Sequence, residues 1–200
     1  MAIASVCGTL KSGADYSCAA PLRKFAQQIS VINKSDIDPA TVEITAPVGT
    51  TPGSCAYNVE FALLSGKSGF HFTGSENGST YKGYVDTTTS ETFGTPDFKH
   101  NVQMMVAGVT EADKCRLDAL IRGKFVVALQ FADGTIEIYG IQNGLSMVDG
   151  TYDVQEGGGG SIMVLSSRDD APESYLPLVY KSAVPGQEIE DFDADFLNEA

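Results

Sequence analysis

The most regular feature of this chain is an alternation of apolar and polar side chains with a period of two. From Phe98 to Val106, apolar residues and one histidine occupy every second position, and mostly polar residues lie between them. A shorter alternation runs from Asn58 to Leu63, and Ser161 to Ser166 form another strand-like run. A period of two with one apolar face is typical of half-buried β-strands. The chain is therefore predicted to be mainly β.

One pair of strands is marked by a turn sequence. Residues Phe125 to Ala132 are apolar on both faces apart from Gln130, which predicts a central strand. Asp133 and Gly134 follow, and a second β-rich run extends from Thr135 to Tyr139. Asp-Gly between two such runs favours a two-residue β-hairpin turn. We expect an antiparallel hairpin here.

One helix stands out in the sequence, at about residues 110–122. Thr110 can cap its N-terminus, with Asp113 in the capping-box position, and Gly123 can end it. The apolar face of this helix carries Leu117, Leu120 and Ile121. The expected fold is a β-sandwich or barrel with this one short flanking α-helix and with extended arms.

The last residues differ in composition from the rest of the chain. We expect a single β-rich domain over residues 1–186 and an acidic C-terminal arm over residues 187–200. The arm has six carboxylates and no Lys or Arg, yet it also contains Ile189, Phe192, Phe196 and Leu197. A purely solvating acidic tail does not need apolar side chains. The pattern predicts an arm that docks on a neighbouring surface, such as another subunit, and a frayed tail is the alternative.

Charge and composition argue against several classes of function. The net charge of -13 disfavours a general nucleic-acid binder, which needs a basic face, and disfavours docking on anionic membranes. No apolar run approaches the ~20 residues that span a bilayer. The chain does not begin with a charged segment and a long apolar stretch, so we expect no signal peptide and synthesis in a cytoplasm. There, the four cysteines are most simply free thiols.

Candidate catalytic and binding motifs are incomplete. The segment Gly66–Ser68 resembles the end of a phosphate-binding loop, but Phe61 stands where that loop needs glycine. Four consecutive glycines, Gly157–Gly160, lack the spacing of a dinucleotide fingerprint and favour a flexible or tightly bent β connection. His71 and His100 have apolar neighbours, as core or interface histidines do. We therefore expect no catalytic residue, no cofactor and no metal site, and we expect that the chain is not an enzyme.

Two parts of the chain resemble a family of virion proteins. The opening part contains Cys18–Lys24 and Ile29–Ile37. In the second half, a capped short helix precedes the strand Phe125–Phe131, the hairpin Ala132–Thr135 and a glycine-rich strand entry at Gly159–Gly160. These segments resemble tail-tube-like and neck-ring structural proteins of Bacteroides-type (crAss-like and related) tailed bacteriophages. The resemblance covers residues 15–45 and 98–180, and the stretch 50–98 and the acidic arm lie outside it.

The resemblance implies a structural subunit that is made in the host cytoplasm and located in the virion. Subunits of this kind would form homo-oligomeric rings of the tail tube or neck by pairing strands across their edges. The rings would enclose a channel for DNA as transiting cargo, and carboxylates lining that channel would repel phosphates. Neighbouring tail, neck or portal-proximal proteins are the other expected partners. The candidate assembly contacts are Asp133, Gly134, Gly157, Gly158, Gly159, Gly160, Ile189, Phe192, Phe196 and Leu197.

The sequence leaves two alternative functions open. One is another virion component, such as a capsid decoration or fibre-base protein, which would self-associate as trimers or on a lattice. The other is a glycan or host-surface binding module, which would expose a cluster of aromatic side chains. The chain has eight Tyr and no Trp, so tyrosines would have to form such a cluster.

Overall fold

The computed structural model describes residues 26–47, 56–73, 81–89, 96–107, 110–131, 134–153 and 160–196. Its helices are α1 (Glu111–Arg122) and α2 (Glu188–Asp191), and short 3-10 and π-helical turns cover Lys34–Asp36 and Phe192–Phe196. Its strands are β1 (Ala26–Asn33), β2 (Glu43–Thr45), β3 (Asn58–Glu60), β4 (Phe70–Thr73), β5 (Lys82–Thr89), β6 (Pro96–Ala107), β7 (Phe125–Phe131), β8 (Ile136–Tyr139), β9 (Ser146–Asp153), β10 (Gly160–Ser166) and β11 (Leu178–Tyr180).

The strands form two sheets that pack on each other. The seven-stranded sheet has the order β2-β3-β11-β8-β7-β1-β4, and the four-stranded sheet has the order β5-β6-β10-β9. Neighbouring strands are antiparallel except β3 and β11, which pair in parallel. Helix α1 joins β6 of one sheet to β7 of the other. The predicted mainly-β fold, a sandwich with a short helix, is confirmed.

A first core fills the space between the two sheets. Strand β6 turns His100, Val102, Met104 and Val106 inward, and each of these side chains is at most 4% exposed. This confirms the alternation predicted for this segment. The seven-stranded sheet and β10 complete the core with Ile29, Val31, Val127, Leu129, Met163 and Leu165.

A second core covers the opposite face of the seven-stranded sheet. Strand β7 is buried on both faces, with Val127 and Leu129 in the first core and Val126 and Ala128 in the second. The prediction of a central strand is confirmed, since β7 lies between β8 and β1. Other members of the second core are Ile32, Val59, Phe61, Ile136, Ile138, Leu178 and Tyr180.

The C-terminal residues form a third layer over this second core. Phe192 and Phe196 are both 0% exposed and belong to the second core cluster of their own chain. Residues 188–196 thus pack on the seven-stranded sheet of their own chain. The physical reason is that β7, β8 and β11 present apolar side chains on the face away from the four-stranded sheet, and that face must be covered.

The predicted hairpin is present, with a loop one residue longer than expected. Gln130 pairs with Ile136, and the Phe131 N–H donates to the Thr135 carbonyl at 2.8 Å. This pairing leaves three residues of sequence between Phe131 and Thr135, where two were predicted. Gly134 has φ +86°, a conformation that favours glycine, and its N–H donates to the Phe131 carbonyl at 3.0 Å. The positive φ explains why the turn needs Gly at this position.

Helix α1 begins and ends where the sequence predicted. The Thr110 hydroxyl accepts from the Asp113 N–H at 3.3 Å, and the Asp113 carboxylate accepts from the Thr110 N–H at 3.1 Å. The helix packs against β9 and β6, and Leu120 enters the first core. Ile121 was predicted on the same apolar face, but it is 46% exposed. The sandwich contacts a narrower stripe of the helix than the sequence suggested.

Candidate functional site

A groove lies between the β7–β8 hairpin, β11 and the C-terminal residues. It has a volume of about 370 Å³, and its lining includes Gly134, Ile136, Val179 and Ile189. A Cβ atom on Gly134 would lie 3.1 Å from Ile189 Cδ1. The structure thus brings together two predicted assembly contacts that are far apart in sequence.

Charged side chains border this groove. Lys181 Nζ lies 3.5 Å from a Glu188 carboxylate oxygen, and these side chains are 51% and 24% exposed. An ion pair with this exposure contributes little to stability, because solvent screens it. The Ser182 hydroxyl also donates to the Asp191 carboxylate, which fixes the start of the C-terminal layer to the end of β11. The groove therefore has an apolar floor and a polar, solvated rim.

The other predicted assembly contacts fall into three groups. Phe192 and Phe196 are buried against the second core of their own chain, and their predicted contact with another subunit stays a prediction. Gly160 begins β10 and pairs with Ala107 on one side and Asp153 on the other. Both sides of its strand are therefore already paired within the chain. The contacts outside the described residues are Asp133, Gly157, Gly158, Gly159 and Leu197.

The four-stranded sheet ends in two long edge strands. β5 and β9 have eight residues each, and no other described strand pairs with their outer sides. β9 carries one bulge at Val148, because Val164 pairs with Asp149 and Leu165 pairs with Met147. β5 runs without a break in register from Lys82 to Thr89. Unpaired strand edges are templates for pairing with another chain, and β5 is the more regular of the two.

The outer face of the four-stranded sheet is only partly exposed, since the paired residues Asn101 and Ser166 on that face are 3% and 0% exposed. Ile162 on β10 pairs with Met105 on β6, and Ile162 is 44% exposed. Charged residues of both signs share this face. Lys99 and Asp86 pair across β6 and β5, and Lys99 lies next to the inward-facing His100. Within the described residues, the two core clusters lie on the two faces of the seven-stranded sheet.

A buried carboxylate joins the two sheets at one end of the sandwich. Glu173 is 2% exposed, and its carboxylate accepts from the Gln142 and Asn143 N–H groups at 3.0 Å and 2.8 Å. The Glu173 main chain also pairs with Phe98 of β6 through bonds of 2.9 Å and 3.1 Å. Since Gln142 and Asn143 lie in the turn after β8, Glu173 holds that turn against the four-stranded sheet.

His100 lies beside this carboxylate and is satisfied at both ring nitrogens. Its Nδ1 accepts from the Gly140 N–H at 3.1 Å, so Nε2 carries the proton and donates to the Tyr175 carbonyl at 2.8 Å. Burial lowers the pKa of His100, and the Tyr175 carbonyl and the Glu173 charge only partly oppose that effect. The interpretation of His100 as a satisfied core histidine is confirmed. This ring is a neutral structural element of the folded protein.

The Glu173 and His100 network was not predictable from the sequence. Its members come from β6, from the turn after β8 and from the segment between β10 and β11. The one available signal is that Glu173 stands between Pro172 and a Ser-Tyr pair, which does not separate it from an exposed loop acid. Its role depends on backbone N–H groups that have no sequence signature.

Among the described residues, no group of three or more His, Cys, Asp or Glu is placed to hold a metal ion. None of the described helices combines the length and the apolar character needed to cross a membrane. No protein-family model, curated protein or solved structure matches the chain.

Proposed function

We propose that this chain is a structural subunit of a bacteriophage virion, and that copies of it form rings of the tail tube or neck around a DNA channel. The observation that carries the proposal is the four-stranded antiparallel sheet with two unpaired eight-residue edges among the described strands. The resemblance of residues 15–45 and 98–180 to tail-tube-like and neck-ring proteins supports the same assignment.

The strand directions suit repetition around a ring. With four antiparallel strands, β5 and β9 run in opposite directions. A rotation about an axis parallel to the strands keeps each strand direction. It would place β9 of one copy beside β5 of the next as an antiparallel pair, so the sheet would continue without a change of pairing type. Head-to-tail contacts of this kind close into rings when the rotation closes.

In this ring, one side of the domain would face the channel and the other side would face outward. The inner side of the four-stranded sheet is packed on the seven-stranded sheet, so its outer face would line the channel. That face mixes Lys82, Asp86 and Lys99 with apolar Met105 and Ile162. The acids of the C-terminal layer would lie on the outside of the ring, since that layer covers the opposite face of the seven-stranded sheet. A channel of mixed charge would offer DNA phosphates no continuous basic track.

The first test is mass photometry with negative-stain imaging of the purified chain over a series of concentrations and salt. Rings or tubes with a central hole are the expected result, and their symmetry gives the number of subunits. A monomer at every concentration and salt condition would contradict self-assembly by this chain.

A matched pair of variants tests the β5 edge. In an antiparallel strand the N–H groups of consecutive residues point to opposite sides, so either Asp86 or Thr87 directs its N–H away from β6. Proline removes that N–H and is tolerated on the open side of an edge strand. Of Asp86→Pro and Thr87→Pro, the variant that keeps the wild-type unfolding midpoint is expected to lose rings. Intact rings in that variant would show that β5 is not the contact.

A further inference from the structure

The turn after β8 contains the dipeptide Asn143-Gly144, one of two Asn-Gly pairs in the chain. Such a pair is prone to deamidation, because glycine has no side chain to keep its backbone nitrogen away from the asparagine amide carbon. In this reaction the Gly144 nitrogen loses its proton and bonds to Asn143 Cγ, while the Cγ–Nδ2 bond breaks. The amide nitrogen takes up that proton and leaves as ammonia, and water then opens the cyclic imide to aspartate or isoaspartate.

The folded turn occupies both groups that form the imide. The Gly144 N–H donates to the Gly140 carbonyl at 2.8 Å, so the attacking nitrogen is already engaged. The Asn143 Nδ2 donates to the Pro172 carbonyl at 2.6 Å, which holds the side-chain amide on a neighbouring segment. Closure of the imide ring therefore requires these two hydrogen bonds to break first.

The Glu173 carboxylate holds the turn in this arrangement. It accepts from the Asn143 N–H at 2.8 Å, and the backbone of Glu173 is anchored to β6. Pro172, which accepts from the Asn143 side chain, is the preceding residue. After the turn, Leu145 and Phe125 exchange backbone hydrogen bonds of 2.7 Å and 2.8 Å. The turn can thus leave Glu173 while the chain that follows it stays in place, as in other local openings of folded proteins.

We propose that Asn143 is a latent deamidation site, which the folded turn keeps closed and which opens to reaction when the turn leaves Glu173. The change would be permanent. Aspartate at position 143 has no amide hydrogen to donate to the Pro172 carbonyl, and it adds a negative charge close to the buried Glu173. Isoaspartate also lengthens the backbone of the turn. A reacted chain therefore loses the link between the sheets at this end of the sandwich. The inference does not depend on the proposed ring.

Mass spectrometry of the full-length chain measures the reaction directly. Asn143 is the one asparagine in the tryptic peptide over residues 125–168, so deamidation of asparagine in that peptide reports Asn143 alone. The chain is incubated at mildly alkaline pH, folded and in guanidinium chloride. The folded chain is expected to react at Asn143 about tenfold or more slowly than the unfolded chain, because only the open turn reacts. Equal rates would overturn the proposal. Asn77-Gly78, outside the described residues, gives the rate of the same dipeptide in the unfolded chain.

Two variants at Glu173 test the control by this carboxylate. In folded Glu173→Ala, Asn143 is expected to react about tenfold or more faster than in the wild type, and Glu173→Gln, which keeps one acceptor, should lie between them. Met163→Ala is the control for a general loss of stability, because Met163 belongs to the first core whereas Ile141 of the turn belongs to the second. Its Asn143 rate should stay at the wild-type value. Glu173 variants that react no faster than Met163→Ala would overturn the proposal.

Asn143→Asp tests whether the change is permanent. This variant carries the product of deamidation from the start, and it is expected to unfold at a lower urea concentration than the wild type. An unchanged urea midpoint would overturn the claim that the reacted turn cannot close again.

Discussion

Replacing the buried Glu173 by alanine removes the acceptor for two partly buried N–H groups and leaves its backbone bonds to Phe98 in place. The affected donors are the N–H groups of Gln142 and Asn143, at 3.0 Å and 2.8 Å from the carboxylate. A donor left without an acceptor costs about 1–3 kcal/mol when it is fully buried. Gln142 is exposed and Asn143 is partly buried, so water can reach these N–H groups and each loss lies at the lower end, about 1 kcal/mol. The whole domain is expected to have only about 5–15 kcal/mol of stability, so a loss of about 2 kcal/mol in Glu173→Ala is measurable.

Two further variants make the Glu173 test specific. Glu173→Gln keeps one carbonyl oxygen and can satisfy one of the two N–H groups, so its loss of stability should lie between wild type and Glu173→Ala. Glu190→Ala removes an exposed acid of the same type and should change stability by less than about 0.5 kcal/mol. The measurement is the midpoint of urea unfolding for each variant. A shift of the midpoint at an unchanged slope m reports a change in stability. A Glu173→Ala midpoint equal to that of Glu190→Ala would refute the argument that this carboxylate holds the turn.

Three more predictions concern the two cores. Phe196→Ala should lower the free energy of unfolding in urea by about 3–5 kcal/mol, because Phe196 is fully buried. Ile189→Ala, at a residue that is 45% exposed, should lower it by less than about 1 kcal/mol. Equal losses in the two variants would contradict the burial of Phe196 in the second core. Gly83→Ala should lower the free energy of unfolding by about 1–3 kcal/mol, because the added Cβ would lie 2.8 Å from Leu129 Cδ1. An unchanged urea midpoint would contradict this close contact. Because burial lowers the pKa of His100 in the folded state, stability should be full above the unfolded value of 6.5 and fall as pH decreases below it. His100→Gln should make the loss of stability between pH 7 and 5 smaller than in the wild type. Identical stability profiles of the two proteins over this pH range would contradict the lowered pKa of His100.

Local signals predicted the elements that depend on neighbouring residues. The capping box at Thr110, the end of α1 before Gly123 and the hairpin around Gly134 are each decided within a few residues of sequence. The alternation in β6 also gave its buried face correctly. The loop length of the hairpin was missed by one residue, because strand register depends on cross-strand pairing and not on the turn pair alone.

The assembly contacts named from the sequence stay predictions. Gly134 and Ile189 were both expected to contact a partner, and the structure places them in one groove, but no sequence rule shows that they are neighbours. Phe192 and Phe196 were named from the sequence as apolar residues of an arm that docks, and the structure buries both of them in their own chain. Their target was uncertain because a periodic pattern says that a side chain is buried and does not say against what.

The sequence by itself determined that the chain is mainly β and where its first helix begins and ends. These properties follow from periodicity, capping and turn chemistry, which act over short distances along the chain. Only the tertiary structure decided that β11 pairs with β3 and β8, that Glu173 joins the turn after β8 to the other sheet, and that Phe192 and Phe196 cover the second core. The reason is that each of these contacts joins segments distant in sequence, and their partners are selected by packing and by buried backbone groups that carry no local signature.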